Sequence, residues 1–149
     1  MGVRAIGINH VAFEVRDLDE ALEWWGRWFA FELRGRRATM AWIDLGDQFV
    51  ALSQVSGRPG GAADAARHVG LVVEDKEALR AALREGGEDV RSSGSLRVRD
   101  PSGNVIEIVD YRDVQFSKTD AVLHGMGLGA LEKSASARRE LADKGLLGE

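Results

Sequence analysis

The chain has 149 residues, 44% of them hydrophobic and 30% charged, with a formal net charge of −4. This balance predicts a folded protein of one domain or two small modules, and the negative charge argues against a general nucleic-acid-binding protein. Cysteine is absent from the sequence, so disulfides, thiolate nucleophiles and cysteine-ligated metals are excluded. No apolar run reaches the roughly 18 residues of a transmembrane helix, and the N-terminal residues fit neither a signal peptide nor a myristoylation site. We therefore expect a cytoplasmic protein without a nucleic-acid or membrane partner.

The first elements belong to an internal repeat. Residues 8–17 and 66–75 both contain His-Val, then a small residue, then an apolar run that an aspartate closes. Such runs predict strands, and their recurrence indicates a repeated structural unit. The two copies therefore predict two modules of similar structure.

A helix follows each of these strands. Apolar residues recur at helical spacing over about 17–30 in the first copy and over 76–85 in the second. Asp17 or Asp19 is predicted to cap the first helix and Asp75 the second, because a short carboxylate accepts hydrogen bonds from the free N–H groups of the first turn.

Short strand patterns separated by turns follow each helix. They cover 31–34, 39–45 and 48–54 in the first copy, and 89–91, 96–99 and 104–111 in the second. The prediction is an α+β fold of two tandem βαβββ modules, with a first module at 1–54, a Gly/Pro-rich linker at 55–65 and a second module at 66–111. Residues 112–149 form a C-terminal extension that is partly helical: 131–146 has a helical pattern, whereas 112–129 has no clear period.

Glu107 lies within an apolar strand pattern, between Val105-Ile106 and Ile108-Val109. Strand alternation places Glu107 on one face and Ile106 and Ile108 on the other. An unpaired carboxylate is costly to bury, so Glu107 either faces solvent or is held by a cation in a concave sheet. Taken alone, a glutamate in a strand favours the solvent-facing interpretation.

Two of the 3 histidines, His10 and His68, occupy equivalent positions in the repeat. A single histidine at such a position is more often a hydrogen-bonded core or edge residue than a metal ligand. Together with Glu107, however, the two imidazoles form a ligand set of two histidines and a carboxylate that leaves coordination positions open. Open positions allow a catalytic metal to bind or polarise a substrate oxygen. We therefore predict a divalent metal ion, with Fe, Mn, Zn and Ni as candidates.

The order and spacing of four segments, taken together, form a specific sequence pattern. They are Ile8-Asn9-His10-Val11, Asp17-Leu18-Asp19-Glu20-Ala21, Arg67-His68-Val69-Gly70-Leu71 and Asp100-Pro101-Ser102-Gly103-Asn104-Val105-Ile106-Glu107. With these segments the chain resembles the vicinal oxygen chelate superfamily, which includes glyoxalase I, bleomycin-resistance proteins, fosfomycin-resistance transferases and extradiol dioxygenases. The resemblance covers about residues 6–111.

The resemblance implies paired modules whose strands form a curved mixed sheet around a metal cavity. It places the metal ligands at His10, His68 and Glu107. A fourth ligand position matches Ala51, where glyoxalase I has a carboxylate, so a four-ligand site is not expected. The extra histidine and tyrosine of extradiol dioxygenases have no match, and Ala12 replaces the threonine of fosfomycin-resistance enzymes. Family members of this size usually form homodimers, with each cavity assembled from modules of both subunits.

Further residues are candidates to line a substrate pocket. They are Trp42, Phe49, Ala51, Arg97 and Arg99. The two arginines suit an anionic substrate, although an exposed strand face explains them equally well. The tryptophans at 24, 25 and 28 recur at helical spacing, which favours packing or an interface over stacking on a ligand.

The leading hypothesis is a divalent-metal-dependent enzyme that chelates two neighbouring oxygens of a small oxygenated metabolite. The reaction stays open between lyase or isomerase, thiol-transferase and dioxygenase chemistry. The alternative is a metal-free protein that sequesters a small molecule, as bleomycin-resistance proteins do. A third hypothesis is a regulatory or partner-binding protein in which the triad is a relic. The residues assign no role to His124 or to the C-terminal extension.

Overall fold

A computed structural model describes residues 8–57 and 68–147 of the chain. The chain divides into two compact units. The first unit comprises residues 1–64 together with 100–104, and the second comprises 65–99 and 105–149. Residues 58–65 of the predicted linker, the first two residues of the predicted second module and the N-terminal residues 1–7 lie outside the described part.

The first unit has the predicted βαβββ order. Its elements are β1 (His10–Val15), α1 (Leu18–Trp28), β2 (Leu33–Arg36), β3 (Met40–Asp44) and β4 (Phe49–Gln54). The strands form one mixed sheet in the order β1-β4-β3-β2, in which β1 runs parallel to β4 and the other pairs are antiparallel. Buried apolar side chains alternate along the strands towards the core: Phe13, Val15, Ala41, Ile43, Val50 and Leu52.

Helix α1 covers the buried face of this sheet and contacts β4. Asp17 caps it, since its carboxylate accepts from the Glu20 amide at 2.9 Å. Trp25 is its largest buried side chain and packs against Phe13 and Phe29, with ring centroids 6.1 Å and 5.1 Å away. The prediction of a packing role for this tryptophan is confirmed.

The second unit forms a smaller mixed sheet with a helix packed against it. Its first elements are β5 (Val69–Val73), α2 (Lys76–Glu85), β6 (Leu96–Arg99) and β7 (Val105–Asp110). The sheet has the order β5-β7-β6, with β5 parallel and β6 antiparallel to β7. Asp75 caps α2 by accepting from the Ala78 amide at 2.8 Å. The α+β fold with two mixed sheets agrees with the predicted fold class.

One predicted strand is wrong. Residues 89–91 are irregular, so the second sheet has three strands among the described residues and not four. The buried Arg80 of α2 explains this, because its guanidinium donates to the carbonyl oxygens of Arg91 and Gly94, both at 2.7 Å. Its Nε also donates to the Glu77 carboxylate at 2.9 Å. A helix side chain therefore occupies the carbonyl oxygen of Arg91, the last residue of the predicted strand.

We expect Arg80→Met to lower the free energy of unfolding by about 2 kcal/mol, because the two loop carbonyls lose their donors. Urea denaturation measures this change, and hydrogen exchange at 88–95 should accelerate. The matched control is Arg84→Met, since Arg84 is exposed on the same helix, and it should change stability by less than about 0.5 kcal/mol. Unchanged exchange at 88–95 in Arg80→Met would show that this arginine does not hold the loop.

The turn 100–104 belongs to the first unit, although it joins β6 to β7 in the sequence. The Asp100 carboxylate accepts from the backbone amides of Ser102 and Asn104, at 3.0 Å and 2.8 Å. Two further bonds join the turn to β1 and the residue after it. The Asn104 side-chain amide donates to the Glu14 carbonyl oxygen at 3.0 Å, and the Ser102 hydroxyl accepts from the Arg16 amide at 2.9 Å. The turn is therefore a structural part of the first unit.

The C-terminal extension contributes two helices to the second unit. These are α3 (Asp120–Gly125) and α4 (Ala135–Asp143). The helical pattern at 131–146 is confirmed by α4, whereas α3 lies where no periodicity predicted a helix. The Lys133 ammonium donates to the carbonyl oxygens of Tyr111, Val114 and Phe116, and desolvation by burial lowers its pKa. These hydrogen bonds hold the C-terminal extension at the end of β7. No helix in the described ranges is long and apolar enough to span a bilayer.

Candidate functional site

The predicted Glu107 lies at the centre of the second sheet. In the pairing register its neighbours are Gly70 on β5 and Arg97 on β6. His68 lies directly before β5, two positions ahead of Gly70. A Cβ atom at Gly70 would contact nothing within 4 Å. Glycine therefore leaves open space beside Glu107, through which the His68 side chain reaches it.

His68 and Glu107 are in direct contact. The imidazole Nε2 lies 2.9 Å from the carboxylate Oε2, and the side chains are 32% and 26% exposed. The Arg97 guanidinium lies 3.5 Å from the same oxygen and is 46% exposed. Glu107 therefore neither points freely into solvent nor is buried without a partner. It is held between an imidazole and a guanidinium on an open face of the sheet.

His10 belongs to the first unit and has different partners. Its ring stacks on Phe49, with centroids 4.6 Å apart and planes inclined by 7°. Its Nδ1 atom lies 2.9 Å from the Asn9 side-chain oxygen. The Arg34 guanidinium lies 4.9 Å from the centre of the Phe49 ring. These contacts hold the imidazole plane against β4.

The three predicted metal ligands are thus divided between the two units. His68 and Glu107 form a pair within the second unit, and His10 lies in the first. Within 8–57 and 68–147, no three or more His, Asp or Glu side chains form a group that could hold a metal ion. The complete triad stays a prediction.

The predicted pocket residues of the first unit share one sheet face. Trp42 pairs with Ala51 across β3 and β4, and Phe49 follows on the same face of β4. Gly35 lies opposite Trp42, and a Cβ atom there would be 3.6 Å from the indole ring. Ala51 offers only a methyl group at the family's fourth ligand position. The face therefore combines two aromatic rings with very small neighbours.

The two predicted arginines of the second unit border a cleft. One cavity of about 320 Å³ is lined by residues 88–90, 97–99 and Val105. An adjoining cavity of about 360 Å³ shares Asp89, Val90 and Arg97 with it. We call the two together the Arg97 cleft. Sequence reasoning missed the wall at 88–91, because it assigned 89–91 to a strand.

The His68–Glu107 pair fits a divalent metal ion by its donor types. A neutral imidazole nitrogen and a carboxylate oxygen are ligands that Zn, Fe, Mn and Ni all accept. Two donors do not complete a coordination sphere, so further ligands must come from elsewhere. The nearby Arg97 guanidinium has the opposite effect, since its charge offsets that of Glu107 and competes with a cation.

The comparison with protein families gives one match. The sequence model of the glyoxalase/bleomycin resistance protein/dioxygenase superfamily matches residues 7–108. The match includes both repeat copies and leaves α3 and α4 outside. No curated protein sequence matches the chain.

Several solved structures are similar to this chain in fold. A protein described as a possible glyoxalase from Bacillus cereus has 24% identity and a TM-score of 0.60, covering 70% of this chain and 99% of its own. Lactoylglutathione lyase from Agrobacterium tumefaciens has 20% identity and a TM-score of 0.57, covering 72% and 96%. A bleomycin-binding protein complexed with bleomycin has 16% identity and a TM-score of 0.55, covering 70% and 98%. At these identities the similarities establish the fold alone.

Proposed function

Because the chain belongs to the glyoxalase/bleomycin resistance protein/dioxygenase superfamily, we propose that it is a divalent-metal-dependent enzyme acting on a small oxygenated molecule. The proposed metal ligands are His10, His68 and Glu107. Lyase or isomerase, thiol-transferase and dioxygenase chemistry all stay open within this proposal. The substrate would bind through two neighbouring oxygens.

One observation carries the proposal: the His68 Nε2 and Glu107 Oε2 atoms lie 2.9 Å apart on a partly exposed sheet face. A ligating nitrogen and a ligating oxygen at this distance can both turn towards one cation. A bound divalent metal would supply polarisation of substrate oxygens. The chain itself contributes open space beside Glu107, because a Cβ atom at Gly70 would contact nothing within 4 Å.

The test is the metal content of tag-free protein, measured by mass spectrometry. We expect about one equivalent of Fe, Mn, Zn or Ni per chain, and a loss of affinity of more than about tenfold in Glu107→Ala because a ligand is removed. The matched control is Glu85→Ala, an exposed glutamate at the end of α2, which should keep the metal. Absence of metal even after reconstitution, or equal metal in Glu107→Ala, would refute the proposal.

The proposal includes a homodimer whose cavities combine residues of both subunits, and mixing two variants tests this arrangement. His10→Ala and Glu107→Ala should each bind metal poorly. In mixed dimers, one cavity would regain all three ligands and metal binding would partly return. If each site formed within one chain, mixing would restore none. Light scattering gives the mass of the assembly independently.

A metal-free binding protein is the second candidate, and the open face of the first unit favours it. Trp42 is half-buried and lies beside Gly35 and Ala51, so part of its indole ring is accessible to a planar ligand. One structural neighbour is a bleomycin-binding protein, so metal-free bleomycin is a reasonable first probe. Tight binding to chelator-treated protein that is lost in Trp42→Ala would favour sequestration over catalysis.

A further inference from the structure

The Arg97 cleft lies directly beside the His68–Glu107 pair, and Arg97 belongs to both. Its guanidinium borders the two adjoining cavities, and its Nη2 atom lies 3.5 Å from Glu107 Oε2. Both cavities, of about 320 and 360 Å³, are open to solvent. A ligand in this cleft would therefore have one end at Arg97 and close to the proposed metal ligands.

Arg97 is able to exchange its partner. Its ion pair with Glu107 is monodentate at 3.5 Å, and the arginine side chain is 46% exposed. Exposed ion pairs of this kind contribute little to stability, so replacing one carboxylate by another costs little. A guanidinium binds a carboxylate best through two parallel hydrogen bonds, which the present pair does not make. A ligand carboxylate could therefore compete well with Glu107.

The other cleft residues indicate the kind of ligand. Val90 lines both cavities and Val105 lines one of them, which adds apolar surface. The cavities are also lined by Glu88, Asp89, Arg91 and Arg99. With Arg97 this makes three arginines against two carboxylates, so the charge of the lining favours an anion over a neutral or cationic ligand. The cleft thus suits a carboxylate attached to a small apolar body.

Combining these steps, we infer that Arg97 determines specificity by binding the carboxylate of a small substrate whose apolar part occupies the Arg97 cleft. This inference rests on the proposed function for the role of substrate. Binding of the ligand carboxylate to Arg97 would break the ion pair between Arg97 and Glu107. Ligand binding in the cleft and release of the Glu107 side chain from Arg97 would then occur together.

Mandelate, which has one carboxylate and a phenyl ring, is the probe, and mandelamide is its neutral counterpart of the same shape. Calorimetric titration uses full-length protein from which the metal, and then the chelator, have been removed. We expect mandelate to bind, mandelamide to bind at least about tenfold more weakly, and Arg97→Ala to lose about tenfold to a hundredfold in mandelate affinity.

Arg84→Ala is the matched control and should bind mandelate like the unmodified chain, and Arg97→Gln provides a second variant if Arg97→Ala does not fold. No mandelate binding, or equal binding by the Arg97 variants, overturns the inference. Equal binding of mandelamide overturns it as well. Metal content measured on the same batches before the metal is removed separates the two proposals. A metal-binding chain without mandelate affinity refutes only this inference, and Arg97-dependent binding without metal affinity refutes only the metal proposal.

Discussion

Trp25→Ala should lower the free energy of unfolding by about 3–5 kcal/mol, the range for truncating a fully buried tryptophan. Trp25 is 1% exposed, and its ring lies 6.1 Å from that of Phe13 and 5.1 Å from that of Phe29. The surrounding side chains come from both α1 and the sheet, so they cannot all move into the cavity that the substitution would leave. Chemical denaturation followed by circular dichroism measures the loss.

Two variants sharpen this experiment. Within the described residues the Trp25 indole N–H has no hydrogen-bond acceptor, so Trp25→Phe removes an unsatisfied donor while keeping most of the ring. We expect it to cost less than half as much as Trp25→Ala. Trp24 is only half-buried, and Trp24→Ala should also cost less. A loss below about 1 kcal/mol in Trp25→Ala would show that this ring does not anchor the helix.

Asp100→Ala should lower the free energy of unfolding by about 3 kcal/mol, because buried donors lose their acceptor. The carboxylate accepts from the Ser102 amide and from the backbone and side-chain amides of Asn104, at 2.8–3.0 Å. Asp100→Asn keeps one carbonyl acceptor and should cost less. Equal stability of Asp100→Ala and the unmodified chain would show that the turn does not depend on this side chain.

The same carboxylate has a predictable pH dependence. Desolvation by burial raises the pKa of Asp100 above its ordinary value of 3.8, although its hydrogen bonds with Asn104, Ser102 and Gly103 oppose the shift. Between 3.8 and the raised pKa the folded chain holds a proton that the unfolded chain has lost. The contribution of Asp100 to stability therefore falls as pH rises through this interval.

The difference in unfolding free energy between the unmodified chain and Asp100→Asn isolates this effect from those of the other carboxylates. At the acidic end of the interval we expect the largest excess in unfolding free energy of the unmodified chain over Asp100→Asn. Its advantage should decrease with rising pH and then stay constant. A difference that increased with pH would mean that the hydrogen bonds, and not burial, dominate the pKa of Asp100.

Local patterns determined most of the secondary structure. The apolar periodicity and Asp75 predicted α2 at its observed bounds, Lys76–Glu85, because helix spacing and capping depend on residues only a few positions apart. Strand alternation separated Glu107 from Ile106 in the same way. The repeat and the family motifs then gave the α+β fold and the position of each candidate residue within its module.

The contacts of these residues depended on chain segments that are distant in sequence. No local pattern indicates that Arg80 takes the carbonyl oxygens of the 91–94 loop, which is why the predicted strand at 89–91 does not form. The docking of the 100–104 turn on β1 likewise depends on bonds that span more than eighty residues. Short elements such as α3 are weakly encoded, since isolated turns of helix gain most of their stability from packing.

The sequence by itself determined which side chains lie on the open faces of the two sheets, because strand alternation needs no knowledge of the partner strand. It named His10 and His68 from their equivalent positions in the repeat, and alternation separated Glu107 from Ile106 and Ile108. Alternation likewise placed Arg97 and Arg99 opposite to Val98. Only the tertiary structure decided that Glu107 is held between His68 and Arg97, whereas His10 stacks on Phe49 in the other unit. Strand order and register set those distances, and both result from packing between segments far apart in the chain.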